Sequence, residues 1–277
     1  MTDRRIKNAH CGSDRRDWAV SVDEGRRMSV KPDNHKERTT VMESLDQKQI
    51  YVAADLMVLR VWDDHLQIML TRRETPPYQD RLALPGRFIR LDESAEMAAG
   101  ELVREMLPGM NAYTEQLYTF TAVNRDPRGR VISTAYLAIL PGRRTEECLK
   151  GPDSKLVPYS VRLTGNELHF CSEDGQHLSE DLLAFDHAEI IRTGIQRLRG
   201  KISYTGIGFR FLNDPNAFTL VELQSIFEAV LDAEQDSSNF RRFIRNQYEH
   251  TGKIERTGET EKRKHQSAIL YRMVKTL

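Results

Sequence analysis

The first 47 residues differ from the rest of the chain in how their apolar residues are spaced. Over residues 1–47 no apolar face with a period of two or of 3.6 residues persists. The first fifty residues carry 11 Lys/Arg and 9 Asp/Glu. Such a segment cannot bury enough apolar surface to offset the entropy of ordering it. We therefore expect residues 1–47 to be a disordered extension and ordered structure to begin near Ile50.

Aliphatic and β-branched runs predict a β-rich block after this point. Residues 51–61 and 66–71, separated by the turn signal Asp63-Asp64, are typical of a hairpin. The same patterning predicts strands at 82–89, 117–124 and 131–140. Between these strands, helical spacing of Ala95, Ala98, Leu102, Val103 and Met106 predicts a helix over about 94–107, with Ser94 or Asp92 as its N-cap. Strands around one helix indicate an α/β or α+β domain.

The next segment is less regular. Residues 142–180 contain prolines and one short apolar stretch, and we expect an edge strand with loops there. Residues 181–200 recover helical spacing, with Gly200 as a helix stop, and predict a connecting helix. The predicted domains are therefore 48–180, the connecting helix 181–200, and 201–277.

The last part of the chain has the element order of a winged helix. Thr219-Leu220-Val221-Glu222 is a capping box that starts a helix ending near Leu231. After a turn, Ser237 or Ser238 can cap a second helix, with Phe240, Ile244 and Tyr248 on one face. Residues 254–257 and 268–273 predict a hairpin around the basic loop 258–267. The alternative is any small α+β domain with a charged loop.

Charge and cysteine content narrow the class of protein. The 41 basic and 41 acidic residues cancel, but residues 241–277 hold 10 basic and 4 acidic ones, which favours a local anionic partner or a solvated charged surface. No apolar run is long enough to span a bilayer, and the N-terminus lacks the apolar stretch of a secretory signal. Cys11, Cys148 and Cys171 form no paired motif, so we expect reduced thiols in a cytoplasmic protein.

Residues 84–105 carry the chemistry that the sequence reveals most clearly. Leu84-Pro85-Gly86 is followed by Glu93 and by a helix with Glu101 and Glu105, an arrangement that resembles the Nudix box. Carboxylates four apart on one helix face can hold Mg²⁺ against a diphosphate. The alternative for the helix glutamates is a solvated face.

The box is incomplete in either register. Without a gap, Arg87 stands in the second glycine position and only one of three helix glutamates remains. With one residue deleted, Glu101 and Glu105 both fall in glutamate positions, but Arg104 lies between them, where a cation would repel Mg²⁺ and pair with a neighbouring acid. We therefore expect a Nudix fold without catalytic residues and without a metal, in which Glu93, Glu101 and Glu105 are vestigial metal-site candidates.

Five segments in fixed order extend the resemblance over about residues 50–277: 125–141 (RDPRGRVISTAYLAILP), 183–191 (LAFDHAEII), 196–204 (QRLRGKISY), 218–231 (FTLVELQSIFEAVL) and 239–242 (NFRR). Together they resemble the NrtR-type Nudix-related transcriptional regulators of NAD metabolism. The resemblance implies a Nudix-like mixed sheet with helices, then a winged helix-turn-helix domain. It further implies a homodimer that binds operator DNA as a repressor of NAD-metabolism genes and senses ADP-ribose or another NAD-related nucleotide, with no required cofactor.

The same resemblance assigns site residues. Those implied to line or flank the nucleotide pocket are Arg72, Arg73, Phe88, Glu93, Asp186 and His187. For Asp186 and His187 the alternative is a helix cap and a packed histidine. Those expected to contact DNA are Ser237, Ser238, Asn239, Arg241, Arg242, Arg245, Lys262, Arg263 and Lys264, because arginine pairs with guanine edges and phosphates, and lysines at a wing tip suit phosphates.

Three hypotheses therefore remain. The leading one is a nucleotide-sensing DNA-binding regulator that is not an enzyme. The second is an active Nudix hydrolase of the ADP-ribose pyrophosphatase type, which would need Mg²⁺, with an accessory DNA-binding domain. The third is an interaction protein that has lost both functions.

Overall fold

The computed structural model describes residues 49–151, 154–262 and 267–274. The predicted disordered extension and the wing residues Arg263 and Lys264 lie outside this part of the chain. The described residues belong to one unit of mutually contacting chain, residues 48–277. In these described ranges no helix is long and apolar enough to cross a membrane.

A mixed sheet forms the larger part of the fold. Its strands are β1 (Ile50–Trp62), β2 (His65–Arg72), β3 (Leu82–Ala83), β4 (Gly86–Phe88), β5 (Tyr113–Phe120), β6 (Arg130–Leu140), β7 (Val157–Thr164), β8 (Glu167–Cys171) and β9 (His177–Ser179). They follow the order β5-β6-β1-β2-β7-β8-β9, with β3 paired to β2 and β4 paired to β1. β1 runs parallel to β6 and antiparallel to β2 and β4.

The central strand β1 is buried on both faces, which explains its nearly unbroken apolar run. Ala54, Leu56 and Val58 pack under helix α1 (Ala95–Met106), which begins at the predicted cap Ser94. Met57 and Leu59 pack on the opposite face, in the core that includes helix α3 (His187–Ile202). The mixed α/β sheet flanked by helices confirms the predicted fold class.

The segment after β6 differs from the prediction. Helix α2 (Gly142–Leu149) and strands β7, β8 and β9 occupy residues predicted to be an edge strand and loops. α2 has no side-chain N-cap and few apolar residues, so its sequence carries no helix signal. An ion pair of 2.8 Å from buried Arg60 on β1 to Glu146 joins this helix to the sheet.

α3 begins later and ends later than predicted. Residues 180–182 form a short 3₁₀ helix, and α3 itself starts at His187. It continues past Gly200, which was predicted to stop it, because Ile202 is fully buried two residues later. A helix therefore gains more from burying Ile202 than it loses at an exposed glycine.

The C-terminal part has the predicted winged-helix order. Helix α4 (Leu220–Leu231) starts at Thr219, whose hydroxyl accepts from Glu222 N at 3.1 Å. Helix α5 (Ser237–Ile244) continues as one π-helical turn, Arg245–Glu249. A small sheet has the order β10-β12-β11, made of β10 (Phe218–Thr219), β11 (Ile254–Lys262) and β12 (Ser267–Met273).

Two details of this part correct the prediction. The N-cap of α5 is Asp236, whose Oδ1 accepts from Asn239 N at 2.8 Å, so neither Ser237 nor Ser238 caps the helix. Aspartate holds this position because its charged oxygen also interacts favourably with the helix dipole. Lys262 lies on β11 rather than in a loop, since the hairpin pairs as far as Lys262 and Ser267.

Two glycines of α3 test how tightly it packs on the sheet. A Cβ at Gly194 would overlap Met57 Sδ and lie 3.2 Å from Leu117 Cδ2, whereas a Cβ at Gly200 would meet nothing within 4 Å. We expect Gly194→Ala to lower the free energy of unfolding by ~1–3 kcal/mol. The matched change Gly200→Ala should raise it by ~0.5–1 kcal/mol. Urea unfolding of both variants measures these free energies. An equal change in the free energy of unfolding, in the same direction for both, would contradict the packing described.

Candidate functional site

A cavity of about 280 Å³ opens where β1, β4, the β5–β6 loop and the start of α3 meet. Four arginines and two phenylalanines line it: Arg73, Arg87, Arg125, Arg128, Phe88 and Phe185. Asp55, Asp126 and His187 complete its polar wall. The cavity therefore combines guanidinium groups with aromatic faces.

Arg125 connects two carboxylates beside the cavity, those of Asp186 and Asp55. Its side chain donates to Asp186 twice, from Nε at 2.8 Å and from Nη2 at 2.6 Å, and Nη2 also lies 3.4 Å from Asp55 Oδ2. Ser133 Oγ donates to the same Asp55 oxygen at 2.5 Å. Asp186 occupies the N-cap position of α3 but makes no side-chain cap bond. Its carboxylate instead accepts the two hydrogen bonds from Arg125.

His187 is a buried, neutral member of this wall. Its Nδ1 accepts from Leu84 N at 2.9 Å, which places the ring proton on Nε2, 3.9 Å from Asp55 Oδ1. Burial lowers the pKa of His187 from its ordinary value and outweighs the opposing charge of Asp55. The alternative of a packed histidine therefore applies, although the ring also lines the cavity.

Arg73 and Arg128 face the cavity with aromatic support. The Arg73 guanidinium lies 4.7 Å from the Phe185 ring centre, and that of Arg128 lies 5.4 Å from it. Phe185 adopts a φ of 54°, a backbone conformation that bulky residues rarely take. Burial and then the charge of Arg128 lower the pKa of Arg73. An anion bound between the two arginines would relieve this repulsion.

The predicted cavity residues fall into two groups. Arg73, Phe88 and His187 line the cavity. Arg72 is outside the lining and donates from Nη1 to Asp80 O at 2.8 Å, while Glu93 and Asp186 are held by arginines. The structure also brings in Arg125 and Arg128, which the sequence analysis did not assign. Their only signal is the RDPRGR turn before β6.

Two of the three vestigial metal-site candidates, Glu93 and Glu101, are paired with arginines. Arg87 donates from Nη1 and Nη2 to the two oxygens of Glu93, both at 2.6 Å, and from Nη2 to Glu101 Oε2 at 2.5 Å. Arg90 Nη2 donates to the same Glu101 oxygen at 2.7 Å and to Glu93 Oε2 at 3.1 Å. Glu105 is exposed.

These residues do not fit a divalent ion. Glu93 already accepts four hydrogen bonds, the fourth from Arg90 N at 2.7 Å, which accounts for the lone pairs of both its oxygens. Over the described ranges no cluster of three or more His, Cys, Asp or Glu side chains could hold a metal. The acids are paired by Arg87 and Arg90, whereas Arg104, expected to pair there, takes part in no ion pair within 4 Å among the described residues.

A second basic surface lies on α5 and the turn after it. Ser238, Arg241, Arg242 and Arg245 line a shallow hollow there with Asn246 and His250. Arg242 Nη2 donates to Asn239 Oδ1 at 2.9 Å. Within the described part of the chain, none of the ion pairs includes these three arginines. The inner face of α5 packs through Phe240, whose ring lies 5.2 Å from that of Phe227 on α4.

Most of the predicted DNA-binding side chains therefore share one exposed face. Asn239, Arg241, Arg242 and Arg245 lie on it together with Ser238, while Lys262 lies at the described end of the wing strand β11. Exposed arginines over a buried helix face are the arrangement by which a helix can enter a DNA groove.

Comparisons with known proteins match both parts of the chain. A family model described as the NrtR DNA-binding winged helix domain matches residues 208–273. An ADPR responsive transcriptional repressor NtrR of Acinetobacter baylyi is 27% identical over 80% of this chain and 81% of its own length. An ADP-ribose pyrophosphatase of Methanocaldococcus jannaschii is 28% identical over 53% of this chain and 77% of its own length.

A solved structure is also similar to this chain over most of its length. Shewanella oneidensis NrtR, crystallised with a 27mer DNA, superimposes with a TM-score of 0.65 at 25% identity, covering 80% of this chain and 93% of its own.

The arginine pairing of Glu93 predicts a pH dependence of stability. The hydrogen bonds from Arg87, and after them the one from Arg90 N, lower the pKa of Glu93 from 4.5 to about 2. A carboxylate with a depressed pKa stabilises the fold above its unfolded pKa and loses that contribution as the pH falls. We expect Glu93→Gln to reduce the free energy of unfolding near neutral pH, and the deficit to shrink as the pH falls from 4.5 toward 2.

Urea unfolding of the wild type and Glu93→Gln across this pH range measures the effect. Glu105→Gln is the matched control, since Glu105 is exposed and makes no ion pair within the described residues. A deficit for Glu93→Gln that stays constant over the whole range would contradict the assignment.

Proposed function

The chain is an NrtR-type Nudix-related transcriptional regulator, and on that premise we propose that it represses NAD-metabolism genes by binding operator DNA and responds to ADP-ribose or a related nucleotide. The observation that carries the proposal is the coexistence, in one unit, of an arginine-lined cavity and an exposed arginine face on α5. Each surface suits an anionic partner.

The α5 face supports the DNA-binding half. Phosphate contacts require cations that are not already neutralised by the protein, and Arg241, Arg242 and Arg245 are exposed and in no ion pair among the described residues. The N-terminal end of a recognition helix contacts base edges. Asn239 lies in the first turn of α5, and Arg242, one turn later, donates to the Asn239 side chain, which favours base contacts from these two residues and phosphate contacts from Arg245 and Lys262.

The cavity supports the nucleotide-sensing half. Guanidinium groups bind diphosphates through charge-assisted hydrogen bonds, and Phe88 and Phe185 supply faces on which a base or ribose can pack. The Acinetobacter relative described as ADPR responsive supports ADP-ribose as the effector. NAD contains the same diphosphate as ADP-ribose, which the arginines would recognise.

The proposal includes sensing without turnover. Hydrolysis of a diphosphate in the Nudix manner requires carboxylates that can hold a metal, and here Glu93 and Glu101 are paired with arginines. The pyrophosphatase relative favours the alternative, an active hydrolase. The two differ in one readout: a hydrolase splits ADP-ribose, whereas the proposed regulator returns it intact.

We further propose that the regulator acts as a cytoplasmic homodimer. Winged-helix and helix-turn-helix regulators read paired half-sites about one DNA turn apart, and one α5 per chain supplies one half-site contact.

The proposed DNA contacts predict two different losses of DNA affinity. Arg242→Ala, which removes a base-reading candidate, should weaken binding to the operator by ~1–3 kcal/mol and change binding to scrambled DNA much less. Lys262→Ala, which removes a phosphate contact, should weaken both duplexes alike and reduce the slope of log affinity against log salt by about one. Titrations of both variants against the DNA upstream of the protein's own gene and a scrambled duplex, at two salt concentrations, measure this.

Arg104→Ala is the matched control for loss of one exposed arginine, because Arg104 lies on α1. Its DNA affinity should equal that of the wild type. If Arg242→Ala and Lys262→Ala leave both affinities unchanged, the basic face of α5 is a solvated surface and the proposed function is wrong.

A further inference from the structure

Arg87 and Arg90 neutralise two carboxylates that lie beside the cavity. Glu93 and Glu101 bring two negative charges to the end of β4 and the first turns of α1. Left unpaired, they would repel an anionic ligand in the adjoining cavity. The two guanidinium groups supply the same two positive charges as one divalent ion, within 3.1 Å of the carboxylate oxygens.

Arg87 is held more firmly than a surface arginine. Only 18% of its side chain is exposed, that of Glu93 is 2% exposed, and the two groups make a bidentate pair. The bond to Glu93 raises the pKa of Arg87 above its ordinary value, so this group stays charged. Arg87 also lines the cavity, and its Nε is buried without a hydrogen-bond partner in the described structure.

We propose that Arg87, assisted by Arg90, takes the place of the divalent metal in this cavity, so that the protein binds a nucleoside diphosphate without any metal ion. The inference rests on the proposed nucleotide-sensing function. Removing the Arg87 guanidinium would leave Glu93 and Glu101 under-paired and open to a cation. A metal-independent site would then become a metal-dependent one.

The experiment compares nucleotide and metal binding in the full-length wild type and Arg87→Ala. Calorimetry with ADP-ribose in excess EDTA and in Mg²⁺ should give the same affinity for the wild type, with the nucleotide recovered intact. Arg87→Ala should lose affinity by about tenfold or more in EDTA, and Mg²⁺ should restore part of it. Arg104→Ala, which removes an arginine outside the cluster, should bind like the wild type in both buffers.

Mn²⁺ alone, followed by electron paramagnetic resonance, tests the carboxylates without any nucleotide. The wild type should bind no Mn²⁺ at this site, and Arg87→Ala should gain a bound ion that is lost again when Glu101→Gln is added. If Arg87→Ala does not fold, the wild-type measurements decide alone.

Two results would overturn the inference: loss of wild-type ADP-ribose binding in EDTA, or wild-type Mn²⁺ binding that Glu101→Gln removes. In the first case the nucleotide-sensing function stands and only metal independence fails. Absence of ADP-ribose binding in both buffers would instead contradict the proposed sensing function and the nucleotide part of this inference. The Mn²⁺ measurement would still test whether Arg87 takes the place of a metal ion.

Discussion

The ion pair between buried Arg125 and partly buried Asp186 joins the centre of the sheet to the start of α3. Arg125 comes from the loop before β6, Asp186 directly precedes α3, and Asp55 on β1 shares the same guanidinium. Removing Arg125 would leave buried Asp55 without its compensating charge, a loss that typically costs ~3–5 kcal/mol for a buried pair. The position of α3, and with it the wall that carries Phe185 and His187, therefore depends on this contact.

α3 also connects the cavity to the DNA-binding part. Its first residue His187 lines the cavity, and near its other end Arg199 donates to Val230 O on α4 at 3.0 Å. One hydrophobic core continues from Met57 under α3 to Phe227 and Phe240 in the winged helix. A ligand that displaced Arg125 or Phe185 would thus act on a helix packed directly against the domain that holds α5. This contiguity supports coupling between the two sites.

Much of the fold could be predicted from local pattern, whereas the cavity depended on distant contacts. The hairpin β1–β2, helix α1 and the winged-helix order were predicted because their apolar spacing and caps are local signals. Helix α2 was missed because its residues are mostly polar and its hold on the sheet is an ion pair to Arg60. Arg125 and Arg128 were missed since only folding places them beside Phe185, 60 and 57 residues away in the sequence. Arg87 was recognised as a departure from the glycine position, but its partners Glu93 and Glu101 are defined only in three dimensions.

The central claim is that the arginine-lined cavity and the α5 face belong to one linked equilibrium. Its most direct test is the affinity of the upstream operator duplex, measured by fluorescence anisotropy without and with saturating ADP-ribose, beside calorimetry of ADP-ribose with the free protein and with the DNA complex. The account predicts that each ligand changes the affinity of the other by the same factor, about fivefold or more. Binding of both ligands with neither affecting the other would contradict it.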